Sequence, residues 1–297
     1  MSDRIIQLKD GSDNVYPRVV RDCVVPNKGQ YAYKGEALRP HKNEYRARKV
    51  SGLYGQQGLA IYGDYAFRMD TGNSSGTQAA TMRVYDISDM GNVRQVGTFT
   101  LQSGGKANHA NSAQFAPFPE GGNEFPYLYV SGNYTSYCGV YKVTTSGATL
   151  VQTISVVNER FDLQGMHPNV QAGDDGYLYA VSDDGGDNDF VMRWKLPKVS
   201  AGNVTLNDNN CELGFTLKRD KSLSQTWQGM KIYGGKVYFL RGMTSGIGIE
   251  VIDIGQEKIS SVIPVNIMAA EPEDLEVWND RLIVAYGNQS QFLILSF

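Results

Sequence analysis

A neutral amide, an imidazole or a carboxyl group stands at the start of five alternating apolar segments along the chain. Amides, imidazoles and aromatic faces hydrogen-bond sugar hydroxyls and stack on pyranose rings. If the fold brings these starting positions together, they predict a carbohydrate-binding site. The starting residues are Gln57, His109, Gln164, Gln228 and Glu273, and their neighbours with similar chemistry are Asn111, His167 and Trp227.

Three of the five starting positions carry the same dipeptide, Gln-Gly, and this repetition has a structural alternative. Glutamine can tie adjacent strands together by hydrogen bonds, and glycine lets two backbones approach closely. We favour that interpretation for the repeated pairs. The residues that do not repeat are then the better candidates for ligand contact, namely His109, His167, Trp227 and Glu273.

An acidic segment between residues 183 and 189 is the candidate metal site. Hard cations such as Ca²⁺ prefer several carboxylate oxygens on a glycine-containing loop. The spacing does not match an EF-hand, however, and Asp, Gly and Asn are ordinary turn residues. We therefore predict no cofactor and keep Ca²⁺ at this loop as the alternative. The candidate ligands are Asp183, Asp184, Asp187 and Asp189.

Catalytic motifs are mostly absent from the sequence. It contains no GxSxG, HExxH or GxxxxGK[ST] pattern, and no GxGxxG following a strand. Glycoside hydrolysis requires two carboxyl groups flanking the scissile bond. The acids at equivalent positions are concentrated between Glu271 and Glu276, with Asp162 as the one partner from another segment. The prediction is a protein that is not an enzyme, with glycan cleavage by Glu273 and Asp162 as the alternative.

Composition excludes several classes of protein. The chain has 297 residues, 41% hydrophobic residues and a net charge of −3. That charge argues against nucleic-acid binding, which needs a basic surface to displace counterions. No apolar run approaches the roughly 18 residues of a membrane span, and the first residues lack the apolar core of a signal peptide. Three widely separated cysteines form no CxxC pair and predict neither a zinc site nor a disulfide framework.

The elements that must position the polar residues are repeated hairpins. Three hairpins turn through two residues, at Gly63-Asp64, Gly234-Gly235 and Asn279-Asp280. Gly, Asn and Asp tolerate the positive φ that two-residue hairpin turns require. Two further copies, starting near His109 and Gln164, carry longer turns. The five copies recur at about the length of a propeller blade, roughly 40–50 residues plus loops.

A third strand can be recognised in each copy and a fourth in all but the last. The segment 44–50 lies upstream of the first copy and supplies the missing outer strand, pairing with the strand near Leu293. Such closure removes exposed sheet edges. The sequence thus predicts an all-β fold, a five-bladed β-propeller of four-stranded blades over 41–297. Residues 1–40 are predicted to form an extended N-terminal arm, and a pair of β-sandwiches is the alternative that explains strand content but not five equal units.

The repeated motif resembles that of a known five-bladed propeller family. The resemblance rests on Gln57-Gly58, Gln164-Gly165, Gln228-Gly229 and the final Glu271-Pro272-Glu273, over roughly residues 45–297. That family joins phage receptor-binding proteins to TagC-like proteins and helveticin-type bacteriocins. The second copy departs from the motif, with His109-Ala110 in place of Gln-Gly. The resemblance implies the fold more directly than it implies a ligand.

The opening segment, Ile5 to Pro17, is similar to the N-termini of tail proteins from phages and prophages of gut bacteria. The similarity implies a virion-attachment segment on a tail protein that binds a bacterial surface glycan. It also implies contacts with other tail proteins, a homo-oligomer that is commonly a trimer, and assembly in the host cytoplasm. The hypotheses are therefore a glycan-binding receptor-binding protein, a glycan-cleaving enzyme, and a purely structural virion protein.

Overall fold

The computed structural model describes most of the backbone between residues 3 and 296. The described residues are 3–9, 15–21, 46–72, 78–101, 109–117, 119, 122–132, 137–157, 169–173, 175–183, 188–207, 209–243, 245–265, 270–279, 281–287 and 289–296. Their side chains are described except at 3–9, 15–21, 46–48, 169–171, 183, 289–291 and 296. Within these ranges, no helix is long and apolar enough to cross a membrane.

The first two strands form a hairpin. Strand β1 (Asp3–Lys9) pairs antiparallel with β2 (Val15–Arg21), and Leu8 lies opposite Tyr16. The predicted extended arm over 1–40 omitted this hairpin. Pro17 lies within β2 and has no N–H to donate to a sheet, so the residue types of this segment do not indicate a strand.

The other strands form five sheets, which are the blades of a propeller. Strand β3 (Arg46–Gly55) comes next along the chain and belongs to the fifth blade. Blade 1 contains β4 (Leu59–Tyr62), β5 (Tyr65–Asp70), β6 (Thr81–Asp86) and β7 (Arg94–Thr100). Blade 2 contains β8 (Ser112–Phe115), β9 (Leu128–Ser131), β10 (Tyr137–Val143) and β11 (Ala148–Val157).

The second half of the chain supplies the remaining blades. Blade 3 contains β12 (Asn169–Ala172), β13 (Tyr177–Asp183), β14 (Asn188–Lys195) and, after an excursion, β16 (Leu213–Lys218). The excursion holds a 3₁₀ helix (Val199–Ala201) and β15 (Val204–Asn207). Blade 4 contains β17 (Trp227–Tyr233), β18 (Lys236–Arg241), β19 (Gly248–Asp253) and β20 (Lys258–Pro264). Blade 5 contains β21 (Pro272–Trp278), β22 (Arg281–Tyr286) and β23 (Gln289–Ser296), completed by β3.

The predicted closure of the ring is confirmed. Strand β3 pairs antiparallel with β23, with Lys49 opposite Leu293 and Val50 opposite Phe292. The N-terminal part of the propeller thus supplies the outer strand of the last blade. The prediction of four strands per blade holds for four blades. Blade 2 has a fifth strand, because β15 pairs parallel with the outer side of β11.

The two-residue turns have the backbone conformation that their composition predicts. Gly234 and Gly235 have φ values of 58° and 74°, and Asn279 has a φ of 47°. These positive values suit the right-handed twist of the strands that the turns connect. The strand registers agree, since Tyr62 lies opposite Tyr65 and Trp278 lies opposite Arg281.

Five hydrophobic clusters hold the blades together, one between each pair of neighbours. One joins Phe67 of blade 1 to Phe115 of blade 2, and their rings meet edge to face at 5.1 Å between centroids. The other four clusters join blades 2 and 3, 3 and 4, 4 and 5, and 5 and 1. Because the last cluster returns to blade 1, the five sectors form a closed ring, as the sequence predicted.

Candidate functional site

The innermost strands of the blades surround the axis and run parallel to one another. Asp274 accepts a hydrogen bond from the N–H of Leu59, and Glu276, two residues further on, accepts one from the N–H of Ile61. A step of two residues along β21, from Asp274 to Glu276, matches a step of two in the same direction along β4, from Leu59 to Ile61, so the two strands are parallel. The starts of these strands therefore share one end of the propeller. We call this end the mouth, and its described residues are 55–58, 109–111, 226–229 and 271–274.

The carboxyl group of Asp274 forms the floor of the mouth. Its Oδ2 accepts from the backbone N–H groups of Leu59 (2.7 Å) and Ala113 (3.0 Å). Its Oδ1 accepts from the N–H of Leu275 (2.9 Å) and the hydroxyl of Ser112 (3.2 Å). Burial raises the pKa of Asp274 to about 8, and the three backbone donors oppose that shift. One fully buried side chain thus joins the innermost strands of blades 5, 1 and 2.

A second polar layer lies below Asp274 on the axis. The Lys231 Nζ atom lies 2.5 Å from Glu276 Oε1, and both side chains are largely buried. Gln114 of blade 2 exchanges two hydrogen bonds of 3.3 Å with the backbone N–H and C=O of Ile232 in blade 4. Strand β8 therefore crosses close to the axis. These contacts link the innermost strands of blades 2, 4 and 5 below Asp274.

Above the floor, Glu273 is a carboxyl group that the protein keeps protonated. Burial, reinforced by the nearby Glu271 carboxylate, raises the pKa of Glu273 to about 9, while Arg68 acts in the opposite direction. Glu273 is hydrogen-bonded to Gln57. Gly287 leaves it room, because a β-carbon on Gly287 would lie 2.1 Å from Glu273 Oε1. At neutral pH the mouth thus contains an uncharged carboxylic acid that can donate a hydrogen bond.

The guanidinium of Arg68 lies beneath Gln57 and is fully buried. It donates to the backbone carbonyl of Gln57, to that of Gly55 at 2.7 Å and to that of Tyr286 at 3.2 Å. Burial lowers the pKa of Arg68, and the nearby Glu273 and Asp274 oppose the shift. Sequence patterns did not identify Arg68. Its role is to fix the backbone on which the mouth residues stand.

Of the two described Gln-Gly pairs, Gln228-Gly229 makes contacts within the fold. Gln228 Nε2 donates to the carbonyl of Gly242 (3.2 Å) and to Glu271 Oε1 (2.8 Å). A β-carbon on Gly229 would lie 2.7 Å from the backbone Cα of Asp274, so that no larger residue fits there. Gln57 differs from Gln228. It is 7% exposed, and its Oε1 atom has no hydrogen-bond partner among the described residues.

The other predicted mouth residues fall into two groups. His109 is half-buried at the mouth, where burial lowers its pKa, and Asn111 beside it is buried. Trp227 is half-buried and packs partly against the hydrophobic cluster between blades 3 and 4. Gln164 and His167 lie outside the described residues, as does Asp162, so their predicted roles stay predictions.

The acidic segment of blade 3 contributes to an ion-pair network. Asp189 is buried, and its Oδ1 lies 2.5 Å from Arg241 Nη2 in blade 4. Asp183 is described only as backbone, opposite Asp189 in the β13–β14 pair, and Asp184 and Asp187 lie outside the described residues. Among described side chains, no group of three or more His, Cys, Asp or Glu residues could hold a metal ion. Calcium at this loop stays an untested alternative, and Asp189 is paired with Arg241.

We expect Glu273 to make the protein less stable as the pH rises. The unfolded chain loses this proton near the ordinary pKa of 4.5, whereas the folded protein keeps it to about pH 9. Between those values the folded state binds more protons, so the free energy of unfolding falls by at most about 1.4 kcal/mol per pH unit from this group. Glu273→Gln cannot ionise and should remove that contribution.

Urea denaturation of both proteins between about pH 5 and pH 9 measures the effect. The stability of Glu273→Gln relative to the wild-type protein should increase with pH. The exposed Glu257→Gln is the matched control and should show a constant difference. A constant difference for Glu273→Gln as well would show that Glu273 is ionised in the folded protein.

Comparisons with known proteins give no family and no activity for this chain. No protein-family model matches the sequence, and no curated protein matches it. Among solved structures, a glutaminyl cyclase from Myxococcus xanthus is similar, with 13% identity and a TM-score of 0.49 over 85% of this chain and 95% of that chain. Virginiamycin B lyase from Staphylococcus aureus has 12% identity and a TM-score of 0.41 over 86% of this chain and 100% of that chain. At these identities the likeness carries no activity to this chain.

Proposed function

We propose that the protein recognises a bacterial surface glycan at the mouth. The observation that carries the proposal is the pairing of Glu273 with Gln57 above the Asp274 floor. A protonated carboxyl and an amide offer uncharged donors and acceptors. Gln57 Oε1 is buried and has no partner among the described residues, and in this proposal it accepts from a sugar hydroxyl once the side chain turns toward the ligand. A few fixed polar groups are typical of small-ligand sites.

We further propose that this glycan-binding propeller is the receptor-binding part of a phage tail. The support is the similarity of Ile5 to Pro17 to tail-protein N-termini, together with the Gln-Gly and Glu-Pro-Glu motifs. In this proposal residues 1–40 attach the propeller to other tail proteins in the virion. Several copies, as in a trimer, would raise the overall affinity through avidity even where one mouth binds weakly.

Replacing Gln57 with alanine should weaken glycan binding about tenfold, the effect of about one hydrogen bond in a desolvated site. The exposed Gln95→Ala, on the outer strand β7 of blade 1, is the matched control and should bind as the wild-type protein does. Calorimetry with purified capsular or envelope polysaccharide measures both affinities. Equal binding by wild type and Gln57→Ala would place the glycan elsewhere, and absence of binding by wild type would contradict the proposal.

Glycan cleavage is the second candidate, because one observation favours it. A carboxylic acid held protonated beside a second carboxyl group is the pair of groups that glycosidases use. Glu273 and Glu271 provide such a pair within one strand segment. Glu273→Gln should then abolish release of oligosaccharide while weakening binding only modestly. Bound but intact glycan supports recognition, and released oligosaccharide supports the enzyme. The absence of both binding and cleavage supports a purely structural virion protein.

A further inference from the structure

A partly exposed tyrosine lies beside the mouth, with an arginine over one face of its ring. Tyr54 lies near the end of β3, three residues before Gln57, and 39% of its surface is exposed. The Arg83 guanidinium covers one face of the ring, with Arg83 Cζ 5.0 Å from the ring centroid. A single exposed aromatic residue needs no explanation by itself. The restraints around this one are what call for an explanation.

Three contacts fix the position of Tyr54 and connect it to the mouth. Arg83 Nε donates to Asp70 Oδ2 at 2.6 Å, which favours the position of the guanidinium over the ring. The other oxygen of Asp70 accepts from the backbone N–H of Gln56 at 3.1 Å. The hydroxyl of Tyr85 donates to the backbone carbonyl of Tyr54 at 2.8 Å. The backbone of Tyr54 is thus held and one face of its ring is covered, which reduces the conformational entropy lost on stacking.

We infer that Tyr54 is a second sugar subsite, and that the ligand of the mouth is an oligosaccharide rather than a single sugar. The inference rests on the proposed glycan recognition. Tyr54 belongs to the outermost strand of blade 5, and Glu273 belongs to the innermost one. In a regular sheet, three strand spacings, roughly 14 Å in total, separate these two strands. A single sugar ring cannot contact both sites, whereas a short chain can bind at Glu273 and stack a further ring on Tyr54.

Chain-length dependence of binding tests this inference. A printed array of bacterial surface oligosaccharides identifies a ligand, and calorimetry then compares its one-sugar fragment with its longer fragments. In the wild-type protein the affinity should rise about tenfold once the fragment reaches Tyr54, as expected for one aromatic stacking contact. Tyr54→Ala should lose that rise and bind the one-sugar fragment normally. Tyr54→Phe keeps the ring and should keep the rise.

Tyr62→Ala is the matched control. Tyr62 is similarly exposed, at 37%, but lies at the far end of β4, away from the mouth. It should leave the rise unchanged. Suppose that the wild-type protein binds a glycan on the array and that Gln57→Ala weakens this binding. If Tyr54→Ala then keeps the rise in affinity with chain length, the Tyr54 subsite is refuted, while glycan binding at the mouth stays supported. If wild type binds no saccharide, the proposed function and this inference both fail.

Discussion

Replacing Asp274 with asparagine should lower the free energy of unfolding by about 3 kcal/mol. Both carboxyl oxygens of Asp274 accept from backbone N–H groups, Oδ2 from Leu59 and Ala113 and Oδ1 from Leu275. An amide has only one oxygen, so its NH₂ group must face at least one of these donors. A buried N–H without an acceptor is destabilising by about 1–3 kcal/mol, and the facing NH₂ adds repulsion.

Asp64→Asn is the control for this substitution. Asp64 is exposed in the turn after β4, where asparagine is equally suited, and its replacement should change stability by no more than about 0.5 kcal/mol. Equilibrium urea denaturation gives both values. A loss below about 1 kcal/mol for Asp274→Asn would mean that this carboxyl group does not hold the innermost strands together.

Replacing Arg241 with methionine should be at least as destabilising, by about 3–5 kcal/mol. Arg241 Nε donates to Glu250 Oε2 at 2.7 Å, and its Nη2 lies 2.5 Å from Asp189 Oδ1. All three side chains are fully buried. Burial lowers the pKa of Arg241, but the two carboxylates outweigh it and raise the pKa above its ordinary value. Methionine fills a similar volume and leaves two carboxylates without their cation.

Removing the carboxylate charges should reverse much of this loss. Adding Asp189→Asn and Glu250→Gln to Arg241→Met removes the uncompensated charges, while the new amide oxygen at position 250 can still accept from the N–H of Asp220. The triple variant should therefore recover at least half of the lost stability, measured by the same denaturation. A triple variant as unstable as Arg241→Met alone would show that packing, not charge, explains the effect.

The fold could be predicted from local signals. Turn residues such as Gly234 and Asn279 adopt positive φ, and the recurrence of five hairpin copies, two with longer turns, predicted the number of blades. The missing fourth strand of the last copy predicted the pairing of β3 with β23. Strand β15 was not predicted, because it comes from an excursion within blade 3 and pairs with blade 2. No local pattern specifies a strand that pairs parallel with a neighbouring blade.

The site could be predicted only in part. Repetition identified Gln57 and Gln228 and their position at the mouth. It did not distinguish Gln228, which is bonded to Gly242 and Glu271, from Gln57, whose Oε1 has no partner among the described residues. Asp189 was a candidate metal ligand because of its acidic neighbours, and its partner Arg241 lies 52 residues away. Contacts between distant blades leave no spacing pattern in the sequence.

Hydrogen–deuterium exchange with and without the glycan found on the array tests the central claim, that the ligand binds at the mouth. Amides at 55–58, 109–111, 226–229 and 271–274 should exchange more slowly when the glycan is present. The turns at the opposite end, 63–64 and 234–235, should be unaffected. Slower exchange at those turns, with the four mouth segments unchanged, would contradict the account.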